Sequence, residues 1–145
     1  MPSRPSRADA LRPDGLIEFM KKLVAEGRME GEVCIRRAIS ALYFSLFNYW
    51  AAKRYDQGAR GKGPMQDRFS YREFHEELLN RGLDAELVLL YAHRVAADHY
   101  VLNPTVIKVY GEEMAVRLSR RLSVHITIEV LERAVEAAEE ILKNV

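Results

Sequence analysis

The sequence predicts an all-α fold, an up-and-down helical bundle of four to five helices, from three observations. Apolar residues recur at helical spacing in five separate segments. Hydrophobic residues make up 48% and charged residues 30% of the chain, which is typical of a globular domain. Short loops join the segments, and short loops favour antiparallel neighbours. We therefore expect a single helical domain at 14–145, preceded by a flexible, Pro- and Ser-rich leader at 1–13.

Membrane segments and disulfides are not expected. No apolar run approaches the roughly 20 residues that span a bilayer, and the leader lacks the apolar core of a signal peptide. The single cysteine, Cys34, excludes an internal disulfide and a cysteine-based zinc site. A lone cysteine indicates a reducing, cytoplasmic setting. Because Cys34 lies among apolar residues of a predicted helix, we interpret it as a small buried hydrophobe.

The first two helices are predicted from their apolar periodicity. The first begins at Asp14 and ends before Gly27. The second, from Glu30 to Tyr55, is the longest periodic segment and should form the central helix. It carries a group of large aromatic residues, namely Tyr43, Phe44, Phe47, Tyr49 and Trp50. We interpret these as core, with a stacking platform for nucleobases as the alternative.

The third helix has a capping signal at its start. Ser70 and Glu73 match a capping box, in which the Ser side chain accepts a hydrogen bond from the backbone of the first turn. Gly82 ends this helix. The fourth helix runs from Asp84 to about Asn103 and ends before a proline. Its last two turns carry chemically active side chains, namely Arg94, Asp98, His99 and Tyr100.

The segment between the fourth and last helices has mixed signals. Residues 105–127 alternate well enough for a short β-hairpin arm at about 105–122, and the same residues also fit an irregular helix. We favour the hairpin. The closing helix, from Ile128 to Leu142, has clear helical periodicity.

Charge is unevenly distributed although the net charge is only +1. The stretch 53–72 has a balance of +4, and the closing helix, over 129–145, has a balance of −3. A basic loop beside an acidic helix indicates that the electrostatic field could direct a nucleic acid to the basic face of the domain. The alternative is ordinary solvated surface. Metal ligands are not expected, because no two of the four histidines have the i, i+4 spacing on a helix that zinc ligation favours.

Three passages resemble the HEPN superfamily (higher eukaryotes and prokaryotes nucleotide-binding domain) in its small prokaryotic members. The passage at 38–47, AISALYFSLF, is similar to the aromatic-rich second helix of that family. The passage at 74–79, FHEELL, is similar to its short helix with a histidine. The passage at 94–100, RVAADHY, is similar to its Arg-x-x-Ala-Asp-Tyr signature. Together the three passages cover roughly residues 30–100.

The resemblance implies an RNA- or nucleotide-binding protein, and in active members a metal-independent endoribonuclease of toxin or defence type that works as a homodimer. His99 would take the proton from a ribose 2′-hydroxyl, and Arg94 would hold the scissile phosphate. The attack would leave a 2′,3′-cyclic phosphate. The resemblance assigns supporting roles to Asp98, Tyr100, His75 and Tyr43, and it implies no cofactor.

Three alternatives remain beside the nuclease hypothesis. In the first, the chain is a non-catalytic HEPN module that dimerises and binds a nucleotidyltransferase. In the second, it is a helical scaffold that only dimerises. In the third, Arg94 and Asp98 form an ordinary helix salt bridge and have no role in catalysis. Residues five apart on a helix point about 140° apart, so Arg94 aligns with Asp98 rather than with His99. The catalytic pair meets only if the helix end unwinds or a partner chain supplies one member.

Overall fold

Six helices make up most of the described part of the computed structural model, which covers residues 6–99 and 126–145 and the strands at 106–108 and 115–117. In chain order they are α1 (Arg7–Ala10), α2 (Asp14–Ala25), α3 (Glu32–Asp56), α4 (Tyr71–Asn80), α5 (Asp84–His99) and α6 (Ile128–Asn144). The predicted all-α class is confirmed. Within the described ranges, no helix combines the length and the apolar character needed to cross a bilayer.

The long helices α2, α3, α5 and α6 run alternately up and down. Lys53, near the end of α3, donates to the carbonyl of Val145 at the end of α6, so these two helices run in the same direction. Lys21 of α2 lies 3.4 Å from Glu139 late in α6, and the start of α2 packs beside the end of α6. The first turns of α3 meet the last turn of α5. The shorter α4 packs on α3 and α5.

The core lies around α3, as its periodicity predicts. One side of this 25-residue helix is buried against α5 and α6 along its length. Tyr43, Tyr49 and Trp50 are buried, and Phe44 and Phe47 are partly buried. The interpretation of the aromatic residues as core is therefore confirmed. Burial of each large side chain contributes roughly 1.5–3 kcal/mol.

The segment predicted to be a flexible leader, 1–13, contains the helix α1. Ser6 caps it, because its hydroxyl accepts a hydrogen bond from the Asp9 amide at 3.0 Å. The carboxylate of Asp56, at the end of α3, accepts from the backbone N–H groups of Arg7 and Ala8. These contacts lie 48 and 49 residues apart in sequence, so local composition did not indicate them.

The start of α4 agrees with its capping signal. Ser70 is the N-cap, and its side chain accepts from the Glu73 amide at 3.1 Å. The prediction for Cys34 was wrong, because this residue is exposed. Its helix buries the stripe that contains Ile35 and Ile39. Cys34 falls on the outer side of α3 with Val33, which is 73% exposed.

The predicted hairpin arm at about 105–122 falls on a segment of which the structure describes only two strands. β1 (Val106–Lys108) and β2 (Ala115–Arg117) pair antiparallel, with Ile107 opposite Val116. The remaining residues of 100–125 lie outside the described part of the chain.

The first turn of α3 connects to both flanks of the segment 100–125. The Arg36 guanidinium donates to the carbonyls of Ala96 and Ala97, at 3.2 and 3.1 Å. The same guanidinium lies 3.6 Å from the Glu32 carboxylate. Glu32 in turn accepts a hydrogen bond from the backbone amide of Ile126. One ion pair on α3 therefore holds the end of α5 and the approach to α6.

Candidate functional site

Arg94 pairs with Asp98, one turn further along α5. Its Nε lies 3.2 Å from Asp98 Oδ2, and the two side chains are only 13% and 12% exposed. This is the i, i+4 alignment that helix geometry predicts. The Asp98 carboxylate offsets the positive charge of Arg94 inside the protein. Because Arg94 is also largely buried, its guanidinium is poorly accessible to a ligand from solvent.

The Arg94 guanidinium also lies among aromatic rings. Its central carbon is 4.8 Å from the ring centroid of Phe44, 5.4 Å from Tyr43 and 5.8 Å from Tyr91. A cation against the negative face of a ring is attracted by the quadrupole of the ring, more strongly when water is excluded. The rings therefore fix the position of Arg94 and separate it from solvent.

Asp98 receives two further contacts from α3. Arg37 Nη2 lies 3.3 Å from Oδ1, and the Ser40 hydroxyl donates to Oδ2 at 3.1 Å. Arg37 also donates to the Ala97 carbonyl at 3.2 Å. The carbonyls at a helix end lack partners within the helix, and these guanidinium contacts provide them. We call this set the Arg94 cluster: Arg37, Ser40, Tyr43, Phe44, Tyr91, Arg94 and Asp98.

Tyr43 and His75 form a buried pair next to the Arg94 cluster. The Tyr43 hydroxyl lies 2.7 Å from His75 Nε2, and both residues are fully buried. Burial, followed by the neighbouring Tyr91, raises the pKa of the Tyr43 phenol well above its ordinary value. Tyr43 therefore stays neutral at physiological pH. Its hydroxyl cross-links α3 to α4 and does not act as a base.

His99 lies apart from these groups. It is the last residue of α5 and is exposed. In the described part of the chain, no hydrogen bond or ion pair joins it to Arg94. Tyr100, the remaining predicted site residue, lies outside the described residues. The structure thus brings together four of the predicted site residues, namely Arg94, Asp98, Tyr43 and His75, and leaves His99 separate.

His93, the other histidine of α5, is partly buried on the side that faces Arg133 of α6. Its Nδ1 lies 2.6 Å from the Leu89 carbonyl, so this nitrogen carries the hydrogen and donates it. Burial lowers the pKa of the His93 imidazole, and Arg133 lowers it further, against the opposing effect of the Leu89 hydrogen bond. His93 therefore favours the neutral form and has a role in packing.

The sequence did not indicate Arg37 and Ser40, the two α3 residues that contact Asp98. One signal was present. Arg37 has Val33 and Ala41 at i−4 and i+4, so no acidic residue on its own helix pairs with it at these positions. Such an arginine on a largely buried helix indicates a partner on another element. For metals, no group of three or more potential ligand side chains occurs among the residues that the structure describes.

Comparison with known proteins does not assign the chain to a family. No family model, no curated protein and no solved structure matches the chain. The likeness to HEPN proteins therefore rests on the three sequence passages. These passages lie on α3, α4 and the end of α5, and residues from all three meet around Tyr43.

Proposed function

We propose that the chain is an RNA- or nucleotide-binding module of HEPN type that acts as a homodimer and does not itself cleave RNA through Arg94. The environment of Arg94 carries this proposal. An arginine that holds a phosphate must present its N–H groups to the oxyanion. Arg94 is 13% exposed, paired with Asp98 and covered by aromatic rings, so it supports the architecture of the bundle.

Two nitrogen-bearing side chains nearby are open to solvent and suit phosphate contact. The Arg37 side chain is 60% exposed, and His99 is exposed at the end of α5. Arg37 contacts Asp98 and the Ala97 carbonyl, which orient its guanidinium beside the last turn of α5. The exposed guanidinium of Arg37, with the exposed imidazole of His99 nearby, offers N–H donors to a phosphate.

The test is binding of a fluorescein-labelled single-stranded RNA, measured by fluorescence anisotropy in EDTA with the RNA inspected on a gel. We expect binding that weakens with salt and RNA that stays intact. Arg37→Ala should weaken binding severalfold and lower the salt slope by about one, because one phosphate contact is lost. Lys22→Ala removes an exposed cation on α2 and is the matched control.

The second candidate is the endoribonuclease in which Arg94 and His99 act across a homodimer cleft. The exposure of His99 supports it, because a general base must reach the ribose hydroxyl of its substrate. Cleavage in EDTA by the wild type but not by His99→Ala would select this candidate and reject the first. Absence of any RNA or nucleotide binding would reject both.

The partner in either case is proposed to be a second copy of the chain. The alternative is a nucleotidyltransferase bound at the dimer face. Light scattering of the purified protein tests the homodimer directly. Co-purification of a nucleotidyltransferase with the chain, without RNA cleavage, would support the alternative instead.

A further inference from the structure

A cleft of about 290 Å³ opens between α1, α3 and the loop at 59–69. Its polar lining comes from Arg7 of α1, Asn48 and Tyr55 of α3, and Asp67 of the loop. Apolar side chains complete it, among them Met65 and Phe69. We call this site the loop cleft. It involves none of the residues of the Arg94 cluster.

The α1 wall of the loop cleft is held in place by Asp56. The carboxylate of this residue accepts from the amides of Arg7 at 3.3 Å and Ala8 at 2.9 Å. Ala8 also packs with Tyr49 and Ala52 in a small apolar cluster. The Arg7 side chain is therefore attached to a docked helix.

The opposite wall is an ordered turn. Lys62 and Arg68 exchange backbone hydrogen bonds of 2.8 and 3.0 Å, and the Gly61 amide donates to the Gln66 carbonyl at 2.7 Å. At Gly61 a Cβ would lie only 2.2 Å from the Arg68 carbonyl oxygen, so this close approach requires glycine. Arg60 packs over the Tyr55 ring at 4.1 Å and connects the loop to α3.

The polar side chains of the loop cleft are available to a ligand. In the part of the chain that the structure describes, Arg7, Asn48 and Asp67 make no side-chain hydrogen bond or ion pair. All three are exposed. A guanidinium suits a phosphate, a carboxylate accepts from N–H groups, and an amide both donates and accepts. The rings of Tyr55 and Phe69, with the thioether of Met65, add flat apolar surface.

We propose that the loop cleft binds one guanine nucleotide unit, either free or within single-stranded RNA, an inference that rests on the proposed nucleotide-binding function. Guanine offers two adjacent N–H donors on its pairing edge, which complement the acceptor-only carboxylate of Asp67. Asn48 contacts the remaining polar edge, and Arg7 binds the phosphate. The volume of the cleft, about 290 Å³, lies at the small end of ligand sites and suits a single nucleotide.

The position of the loop cleft along α3 connects it to the exposed Arg37. Tyr55 lies about five helical turns beyond Arg37, so the two residues point to the same side of α3, about 27 Å apart. Exposed Asn48 lies on this side between them. A single RNA strand can follow this side of the helix, with its phosphates at Arg37 and one base in the loop cleft.

The first experiment measures binding of GMP, AMP and inorganic phosphate by isothermal titration calorimetry. GMP should bind at least about tenfold more tightly than AMP, because adenine places no pair of donors opposite the carboxylate. Asp67→Asn should remove this preference. Glu136→Gln neutralises an exposed carboxylate on α6 and should leave it unchanged. Equal binding of GMP and AMP, or a preference that survives Asp67→Asn, would overturn the proposal.

The second experiment separates the contact with the phosphate from the contact with the base. Arg7→Ala should weaken GMP binding about tenfold and leave guanosine binding unchanged, since only the phosphate contact is lost. Asn48→Ala should weaken both. Loss of guanosine binding in Arg7→Ala would contradict the assigned role of Arg7.

A third experiment identifies the source of the nucleotide and separates this proposal from the proposed function. A uridine oligoribonucleotide with one central guanosine is compared with an all-uridine strand of the same length. Tighter binding of the first, lost in Asp67→Asn, supports recognition within RNA, whereas GMP binding alone supports a free nucleotide. RNA binding that depends on Arg37 but not on Asp67, together with no GMP preference that Asp67→Asn removes, would reject the loop cleft and leave the proposed function intact. Absence of binding to every RNA and nucleotide would reject both.

Discussion

The Arg94 cluster and the loop cleft combine arginine, carboxylate and aromatic side chains in opposite ways. In the Arg94 cluster, Arg94 and Asp98 contact each other, and their side chains are only 13% and 12% exposed. In the loop cleft Arg7 and Asp67 are exposed, and neither forms an ion pair within the described residues. Paired and buried charges hold helices together, whereas open charges can bind a ligand. An arginine motif therefore indicates function only once its partners on other helices are known.

The strongest test of this contrast removes the carboxylate from the Arg94 cluster. Asp98→Ala leaves Arg94 buried without its counter-charge and removes a partner of Arg37 and Ser40. We expect the free energy of unfolding, measured by urea denaturation, to fall by about 3 kcal/mol. GMP binding at the loop cleft should be unchanged under folding conditions.

The matched control for Asp98→Ala is Glu76→Ala. Glu76 pairs with Arg72 at the same i, i+4 spacing on α4, but the side chains are 53% and 63% exposed. Solvent screens such a pair, so we expect a change of at most about 0.5 kcal/mol. Equal effects of the two substitutions would mean that the Arg94–Asp98 pair behaves as surface charge.

The reverse test disturbs the loop cleft and spares the Arg94 cluster. Gly61→Ala places a Cβ 2.2 Å from the Arg68 carbonyl oxygen, so the turn must shift. We expect a loss of about 2 kcal/mol in unfolding free energy and weaker GMP binding. Gly15→Ala is the control, because no heavy atom lies within 4 Å of the added Cβ. Unchanged GMP affinity in Gly61→Ala would show that the ordered turn is not needed for binding.

A smaller effect is expected at the buried pair beside the Arg94 cluster. Tyr43→Phe removes the hydroxyl that lies 2.7 Å from His75 Nε2. Because the site is fully buried, we expect a loss of about 1.5 kcal/mol in urea denaturation. Tyr71→Phe, at a position that is 37% exposed, is the control and should change stability by less than about 0.5 kcal/mol. A loss in Tyr43→Phe no larger than the control would mean that the hydrogen bond is not stabilising.

The smallest expected effect is the pH dependence of stability that arises from His93, on the side of α5 that faces α6. The pKa of His93 in the folded chain is lowered below its ordinary value of 6.5. At a pH between the folded and the unfolded pKa, the unfolded chain therefore binds the proton more readily than the folded chain does. Stability should therefore fall as pH drops through this window. Urea denaturation at about pH 7.5 and about pH 5.5 should show a smaller loss for His93→Gln than for the wild type. His99→Gln, at an exposed position, controls for the removal of one imidazole. An identical loss in His93→Gln and wild type would contradict this assignment.

Features set by nearby residues could be predicted from the sequence. The all-α class, the cap at Ser70 and the alignment of Arg94 with Asp98 depend on residues within about one helical turn. The interpretation of the α3 aromatic residues as core followed from helical periodicity in the same way.

Features set by packing between helices could not be predicted. The contacts of Ser40 and Arg37 with Asp98 join positions 58 and 61 residues apart, and they depend on how α3 and α5 pack side by side. The docking of α1 on Asp56 has the same origin. The exposure of Cys34 depends on which side of α3 faces its neighbours, and a single residue type does not determine this.

The ion pair between Glu32 and Arg36 has a consequence for how this protein tolerates change. Its contacts with the carbonyls of Ala96 and Ala97 and with the amide of Ile126 anchor the bundle on both sides of 100–125. Both contacts are made by side chains of α3, so we expect them to form whatever sequence lies between Ala97 and Ile126. Arg36→Ala should therefore loosen both flanks together, because one ion pair contributes to each.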